Sequence, residues 1–487
     1  MVNLFGFKIS GKFNPVLYFM AYRIFSAIIA LIMLFSSPMV VLAQGNGDLP
    51  IYIVQPGENL TEIADKFHIT LNELVRANNI VDTNLISAGT KLVIPGLEGV
   101  SGILTAEPTR FGENYHSILR KYGLSEQTFT LLNPLTSPSE IYAGSTLVLP
   151  QDVDQKTIKN ESVLNNQDSL FTISAKTSSN NWGLSGINQL SPSSFLPGDV
   201  FFFLSETASE SETPFSNQSI KIEVNPLPVV QGHTVVVRIY TKEPVILSGS
   251  LGDKALIFFR NQNSSFYYAL SGISAIANPG LIPLRLSGSL NNGEDFSIEQ
   301  NILLVSGGYR QEELTVEQTS IEQGVIDTEN SQIQQILNPV STEKLWTDKF
   351  RFPVDGSLSD DTIGFSSYFG SRRSYNNGLL NGFHGGLDFK VVLMTLNIYA
   401  PAPGRVAFVG PMAIRGNTTF IDHGQGIYSG YAHQSEIKVA VGDMVQTGQI
   451  IGTIGETGRV TGPHLHWDIW VNGSQVDPFD WIDNTYP

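Results

Sequence analysis

The chain has 487 residues, too long for one hydrophobic core, since single cores stop growing at about 250–300 residues and domains usually run to about 100–150. A formal net charge of -16 argues against nucleic acid as a partner, and the absence of cysteine excludes a disulfide framework, a thiol nucleophile and a lipid-modified N-terminal cysteine. The 45 glycines and 25 prolines predict a multidomain, mostly β chain rich in turns.

At the N-terminus, Lys8, Lys12 and Arg23 precede an apolar run from Ile24 to Phe35 and the small Ala43 of "VLAQ", with no acidic residue before position 44. This predicts a secretory signal peptide over 1–43. Ile24 to Leu42 approaches the roughly 20 apolar residues of a membrane span, which leaves an uncleaved anchor open, but Ser36, Ser37 and Pro38 interrupt it. Either way the rest of the chain is expected outside the cytoplasm.

Three repeats follow. At a constant offset of 55, "PGENLTEIADKFHIT" (Pro56 to Thr70) lies over "FGENYHSILRKYGLS" (Phe111 to Ser125), and "AGTKLVIP" (Ala88 to Pro95) over "AGSTLVLP" (Ala143 to Pro150). The same step takes Ile118 to Ile173, Lys121 to Lys176 and Asn133 to Asn188, with one residue lost before "PGDVFFFL". Repeats are therefore expected at 50–96, 104–150 and 166–205, the second divergent and the third degenerate. In the first, Leu60, Ile63, Ala64 and Phe67 have the spacing of a helix burying one face, and Asn59 with Glu62 and Thr70 with Glu73 read as capping boxes. With "IYIV" before and "KLVI" after, each unit is strand, helix, helix, strand. "YIVQPGENLTEIADKF", "ANNI" and "AGTKLVIP" resemble the LysM family. The resemblance implies binding of N-acetylglucosamine-containing glycans, such as peptidoglycan or chitin, in a shallow groove between loops. Copy two lacks the family's tyrosine-valine first strand and copy three keeps only the skeleton, so both are open to a spacer role.

Residues 206–219 are polar and read as a linker. Beyond them, short β-branched runs such as Ile220 to Val224, Thr234 to Tyr240 and Phe266 to Leu270, punctuated by Gly and Pro, predict an immunoglobulin-like β-sandwich over 220–316 with a positioning role. Residues 317–350 read as a connector with a short helix, able in principle to lie across a neighbouring cleft.

From 351 to 487 the chain is Gly-rich β sequence, and five of its eight histidines fall between His384 and His466. In "FHGGLDF", a straight strand would hold His384 and Asp388 about 13 Å apart, too far to share an ion bonded at about 2 Å, so Gly385 and Gly386 are expected to bend the chain. In "GPHLHWDIW", strand parity puts His464 and His466 on one face and Leu465 on the other. Two histidines and a carboxylate match the donor set of a catalytic zinc site with one open position. Asp468 shares the parity of His466, which allows it to hold an imidazole tautomer; a solvated strand carboxylate is the preferred reading.

Through "SSYFGSRRS", "FHGGLDF", "YAPAPGRV", "IDHGQGIYSGYAHQS", "GPHLHWDIWVNG" and "VDP", Ser366 to Pro478 resembles the lysostaphin and LytM type of zinc metalloendopeptidase, an antiparallel β fold that cleaves peptidoglycan peptides. The resemblance implies Zn2+ held by His384, Asp388 and His466, with His464 as the base acting on the metal's water and His433 of "YAH" orienting water or supporting the oxyanion. It gives His423 a structural role. It also implies action in the cell wall or periplasm. Relatives that have lost ligands activate cell-wall amidases without catalysis; here all five positions are present. "KVVLMTLNIYAPAPG" replaces the family's small turn with an apolar stretch, which leaves substrate preference open.

Overall fold

The computed structural model describes residues 49–487 except 98–99, 136, 152–157, 164–168, 178, 189–199, 206–219, 242–243, 262–265, 291–294, 316–321, 355–362 and 392–395. The expected signal peptide and the 206–219 linker lie outside the described residues. Among those that are described, no helix is long and apolar enough to cross a membrane.

The first repeat runs from strand Ile51–Ile53 through helices Leu60–Lys66 and Leu71–Ala77 to strand Lys91–Val93. Both capping boxes form, Asn59 with Glu62 and Thr70 with Glu73, satisfying helix-start N–H groups. Ile51–Ile53 also pairs in parallel with Ile103–Pro108, which pairs with Thr146–Pro150, so the first two repeats share one four-stranded sheet. The third repeat closes as a hairpin of Ile158–Val163 and Val200–Ser205 around helices Leu170–Thr177 and Asn181–Ile187. Its first strand therefore starts at 158 rather than 166, the same 55-residue step from Ile103. That strand was hidden because "IKNESV" lacks the aliphatic pattern of its equivalents.

Residues 220–305 form a two-sheet sandwich. One sheet orders Lys254–Ala255, Val245–Leu251, Gly280–Leu290, Asp295–Val305 and Val229–Val230; the other orders Phe259–Arg260, Phe266–Gly272, Thr234–Thr241 and Ile220–Asn225. Thr234–Thr241 is apolar on both sides because it is covered on both. Val235, Val237 and Ile239 face the sandwich core, while Val236, with Tyr268 and Leu270 of the next strand, joins the core of the C-terminal domain. On the opposite flank the second repeat is docked: Phe111 and Ala143 are buried in the sandwich core, Leu303 N donates to Ala143 O (2.8 Å) and Gly112 N to Gln300 Oε1 (2.7 Å).

The C-terminal domain is built on an antiparallel sheet ordered Ile363–Ser367, Leu387–Val391, His464–Val471, Ile427–Ala432, Gly416–Gly424, Gly404–Met412 and Met444–Val445, with Ser474–Val476 paired to His464–Val471. Leu465, Trp467, Ile469 and Val471 point into the main core with Leu387, Phe389 and Trp481. Of the expected connector 317–350, the described residues 322–350 pack as part of the C-terminal domain. Helix Gln323–Leu337 lays Ile333 and Leu337 against Met412, Phe420, Tyr428 and Trp470, and Trp346 and Phe350 enter the main core. The preceding strand Gln311–Leu314 pairs in parallel with Arg372–Tyr375, so the sandwich ends at Val305 and its supposed tail belongs to the C-terminal domain. The polar sequence concealed this because only one face of the helix is buried.

Candidate metal centre and active site

Three neighbouring strands present the site at one end. Asp388 on Leu387–Val391 is directly opposite His466 on His464–Val471, and His466 is opposite Ala432, the residue before His433. Directly opposed side chains in antiparallel strands lie about 5 Å apart at Cβ, close enough for a shared ligand. His384 reaches them from the turn before Leu387. Its backbone is pinned by bonds between His384 N and Ser371 O (2.9 Å) and between Gly370 N and His384 O (2.8 Å).

The bend at Gly385 and Gly386 uses glycine for room rather than for left-handed backbone. A Cβ on Gly386 would meet the Trp467 carbonyl oxygen at 2.3 Å, and one on Gly385 the Gln475 side chain at 2.1 Å. The turn packs directly on the strand carrying His466, and this closeness brings His384, Asp388 and His466 together.

His384 Nε2, Asp388 Oδ1 and His466 Nδ1 lie 2.8 to 3.0 Å from one another. These are the atoms that could hold a metal ion, and all three residues are largely buried. The outer nitrogens are already engaged: His384 Nδ1 donates to Tyr368 O (3.0 Å), and His466 Nε2 faces Asp468 Oδ2 at 3.4 Å. The inner nitrogens therefore carry lone pairs toward the common point, the donor arrangement a divalent ion requires.

Asp468 corrects the sequence reading. Instead of being solvated it is fully buried, accepting from Arg415 Nη2 (2.6 Å) and Trp470 Nε1 (3.0 Å). Arg415 overcomes the burial penalty and keeps it ionised. Arg415 arrives from the turn before Gly416–Gly424 and carries no local signal in the sequence.

His464 donates from Nδ1 to Gly462 O (2.8 Å), and its Nε2 is 3.9 Å from Asp388 Oδ1. His433 stacks obliquely with it, ring centroids 4.7 Å apart, and donates from Nδ1 to Thr457 O (2.8 Å). His433 has φ +64, a left-handed conformation uncommon for a residue with a side chain and typical of strained functional positions. Burial, then the neighbouring His464 and His466, push its pKa down to about 3, so its ring is neutral. His423 stands apart, fully buried between Pro403 O (2.7 Å) and Ser429 Oγ (2.7 Å), and Asp422 caps the adjacent turn by accepting from Gly424 N (2.7 Å). Of the divergent stretch, 392–395 lie outside the described residues; Asn397–Tyr399 forms a strand paired with Ile450–Ile454.

Residues 382–478 match the model of peptidase family M23, and residues 52–95 and 110–150 match that of the LysM domain. The chain thus carries an M23 peptidase domain and two LysM domains. It is 37% identical over 127 residues to the peptidoglycan DD-endopeptidase ShyA of Vibrio cholerae, covering 26% of this chain and 28% of ShyA. It is 40% identical over 95 residues to the DD-carboxypeptidase/endopeptidase Mpg of Neisseria meningitidis, covering 20% of this chain and 22% of that protein. The chain thus spans about a quarter of the length of these curated relatives. A crystal structure of a putative peptidase M23 from Pseudomonas aeruginosa aligns over 53% of this chain and 96% of its own, at 27% identity and a TM-score of 0.39.

Proposed function

We propose that this protein is a secreted zinc-dependent endopeptidase that binds peptidoglycan through its LysM repeats and hydrolyses cross-link or stem peptides in the cell wall or periplasm. The observation that carries the reading is the convergence of His384 Nε2, Asp388 Oδ1 and His466 Nδ1 within 3.0 Å of one another. These three residues would hold the ion. A zinc ion there supplies Lewis acidity, lowering the pKa of water to about 7 and polarising a peptide carbonyl.

The remaining groups have distinct tasks. His464 commits its Nδ1 proton to Gly462 O, so its Nε2 is free to take a proton from the attacking water and deliver it to the leaving amine. His433 is neutral and commits its own Nδ1 proton to Thr457 O, so its Nε2 can only accept. It therefore orients water rather than donating to an oxyanion. Tethering by the repeats keeps the hydrolytic domain near an insoluble polymer.

The two matched repeats differ as glycan binders. In repeat one, Gly57 and Gly89 sit on exposed loops, where a Cβ would meet nothing within 4 Å. Their equivalents in repeat two, Gly112 and Gly144, are against the sandwich, where a Cβ on Gly144 would meet Pro228 Cα at 2.8 Å. Repeat one accordingly carries the glycan contact, while repeat two serves as a joint.

The test is muropeptide release by the full chain on purified peptidoglycan, with and without chelator, alongside zinc stoichiometry. Release should require zinc. His466→Ala should lose the metal, whereas His464→Ala should keep it and lose turnover by a factor of at least about 100. If the full chain bound glycan but neither zinc nor product appeared, a non-catalytic regulator of cell-wall amidases would replace this reading.

A further inference from the structure

Two of the three metal-facing residues are backed by an arginine, and each arginine is met by a glutamate from the segment between the sandwich and the peptidase sheet. On one side, Arg373 Nη2 donates to Asp388 Oδ2 (3.3 Å) and to Ser367 Oγ (3.0 Å), and Arg373 Nε donates to Glu312 Oε2 (3.2 Å). Ser367 Oγ in turn donates to Glu312 Oε1 at 3.2 Å. On the other side, His466 Nε2 faces Asp468 Oδ2, which accepts from Arg415 Nη2 (2.6 Å). Arg415 Nε lies 4.0 Å from Glu329 Oε1, and Glu329 Oε2 accepts from Ile414 N at 2.5 Å. Glu312 belongs to strand Gln311–Leu314 and the buried Glu329 to helix Gln323–Leu337.

We propose that Glu312 and Glu329 are positioning residues that set the metal affinity of the site, so that the segment after the sandwich is a working part of the metal centre. This rests on the zinc reading above.

The physical reason lies in the alternation of charge. Each series runs from a carboxylate near the ion, through a guanidinium, to an outer carboxylate. Without the outer carboxylate, an uncompensated arginine stands close to a dication and pulls on the carboxylate that binds it or orients its imidazole. With Glu312 in place, the Arg373 guanidinium is neutralised and its fork is fixed, leaving Asp388 Oδ1 for the ion while Oδ2 stays on Arg373; Glu329 acts on Arg415 through charge at 4.0 Å. Loss of partners behind metal ligands typically weakens binding about 10- to 100-fold. Replacing glutamate by glutamine removes the charge and keeps the volume, which isolates this effect from packing.

The experiment measures zinc affinity of the full chain by competition with a chromophoric chelator, together with the visible spectrum of the cobalt-substituted protein. Glu312→Gln and Glu329→Gln should each weaken zinc binding by about tenfold and shift the cobalt bands. Glu312→Asp should recover part of the loss, and Glu313→Gln, the exposed neighbour on the same strand, should change nothing. Melting of the zinc-free protein shows whether each variant folds; if Glu329→Gln does not, Glu312→Gln decides, since it is only partly buried. Wild-type affinity and spectra in Glu312→Gln, or an equal loss in Glu313→Gln, overturn the proposal. A wild-type chain that binds no zinc removes the functional reading as well, which separates the two failures.

Discussion

His384, His433 and His464 each donate an Nδ1 proton to a backbone carbonyl, those of Tyr368, Thr457 and Gly462, which leaves each Nε2 with its lone pair. His466 is the reverse case, because Asp468 stands behind its Nε2 and Nδ1 faces the site. His423, which stands apart from them, shows what burial without such a site does. Enclosed by Pro403 O and Ser429 Oγ, its pKa is driven by desolvation down to about 4. In the unfolded chain it titrates near 6.5, so below that pH the unfolded state binds a proton that the folded state refuses. Its contribution is therefore complete above pH 6.5 and is lost as pH falls toward 4, by roughly 3 kcal/mol. A histidine-selective NMR titration should leave His423 neutral to about pH 4; titration near 6.5 would refute this account.

At the scale of elements, one asparagine ties each repeat together. Asn78 Oδ1 accepts from Val93 N (2.7 Å) and its Nδ2 donates to Val93 O (2.8 Å); Asn133 does the same with Val148, and Asn188 with Phe202. The sequence separation is 15, 15 and 14 residues, so the residue lost in the third copy falls inside the loop that the asparagine spans. Asn133→Ala should orphan two buried backbone groups and cost about 3 kcal/mol, read as a lower urea midpoint of the repeat region. An unchanged midpoint would show that the loop finds other partners. The repeats were legible because equal spacing survives substitution. The parity of His464 and His466 was legible because a strand has period two. Arg373, Arg415, Glu312 and Glu329 were not, because an arginine between charged partners has no local pattern to distinguish it from a solvated one.

At the scale of the molecule, the sandwich and the peptidase domain are not beads on a string. Asp480 accepts from Thr234 N (2.8 Å) and His233 Nδ1 (3.2 Å), Trp481 Nε1 donates to Thr234 Oγ1 (3.1 Å), and Asn472 Nδ2 donates to Leu270 O (2.7 Å). Val236, Phe259, Tyr268 and Leu270 lie in the same apolar cluster as Leu387, Trp467 and Trp481. Calorimetry should therefore show the sandwich and peptidase melting in one transition, with Asp480→Ala lowering its midpoint; two separate transitions in the wild type would show that the cores are independent. Cutting the chain near residue 350 would also uncover Val236, Phe259 and their partners and remove Glu312 and Glu329 from Arg373 and Arg415.

The repeat register, the mostly β class, the donor types and the histidines that share a face were all readable from the amino-acid order alone. All of these follow from spacing along one chain and from the fixed periods of helix and strand. Four features emerge only from the folded chain: the Trp467 carbonyl leaves no room for a Cβ at Gly386, Asp468 is buried against Arg415, repeat two docks on the sandwich, and residues 322–350 pack into the C-terminal domain. Those facts depend on which surfaces meet across hundreds of residues, and a buried charge or a crowded glycine has a meaning only once its neighbour is in place.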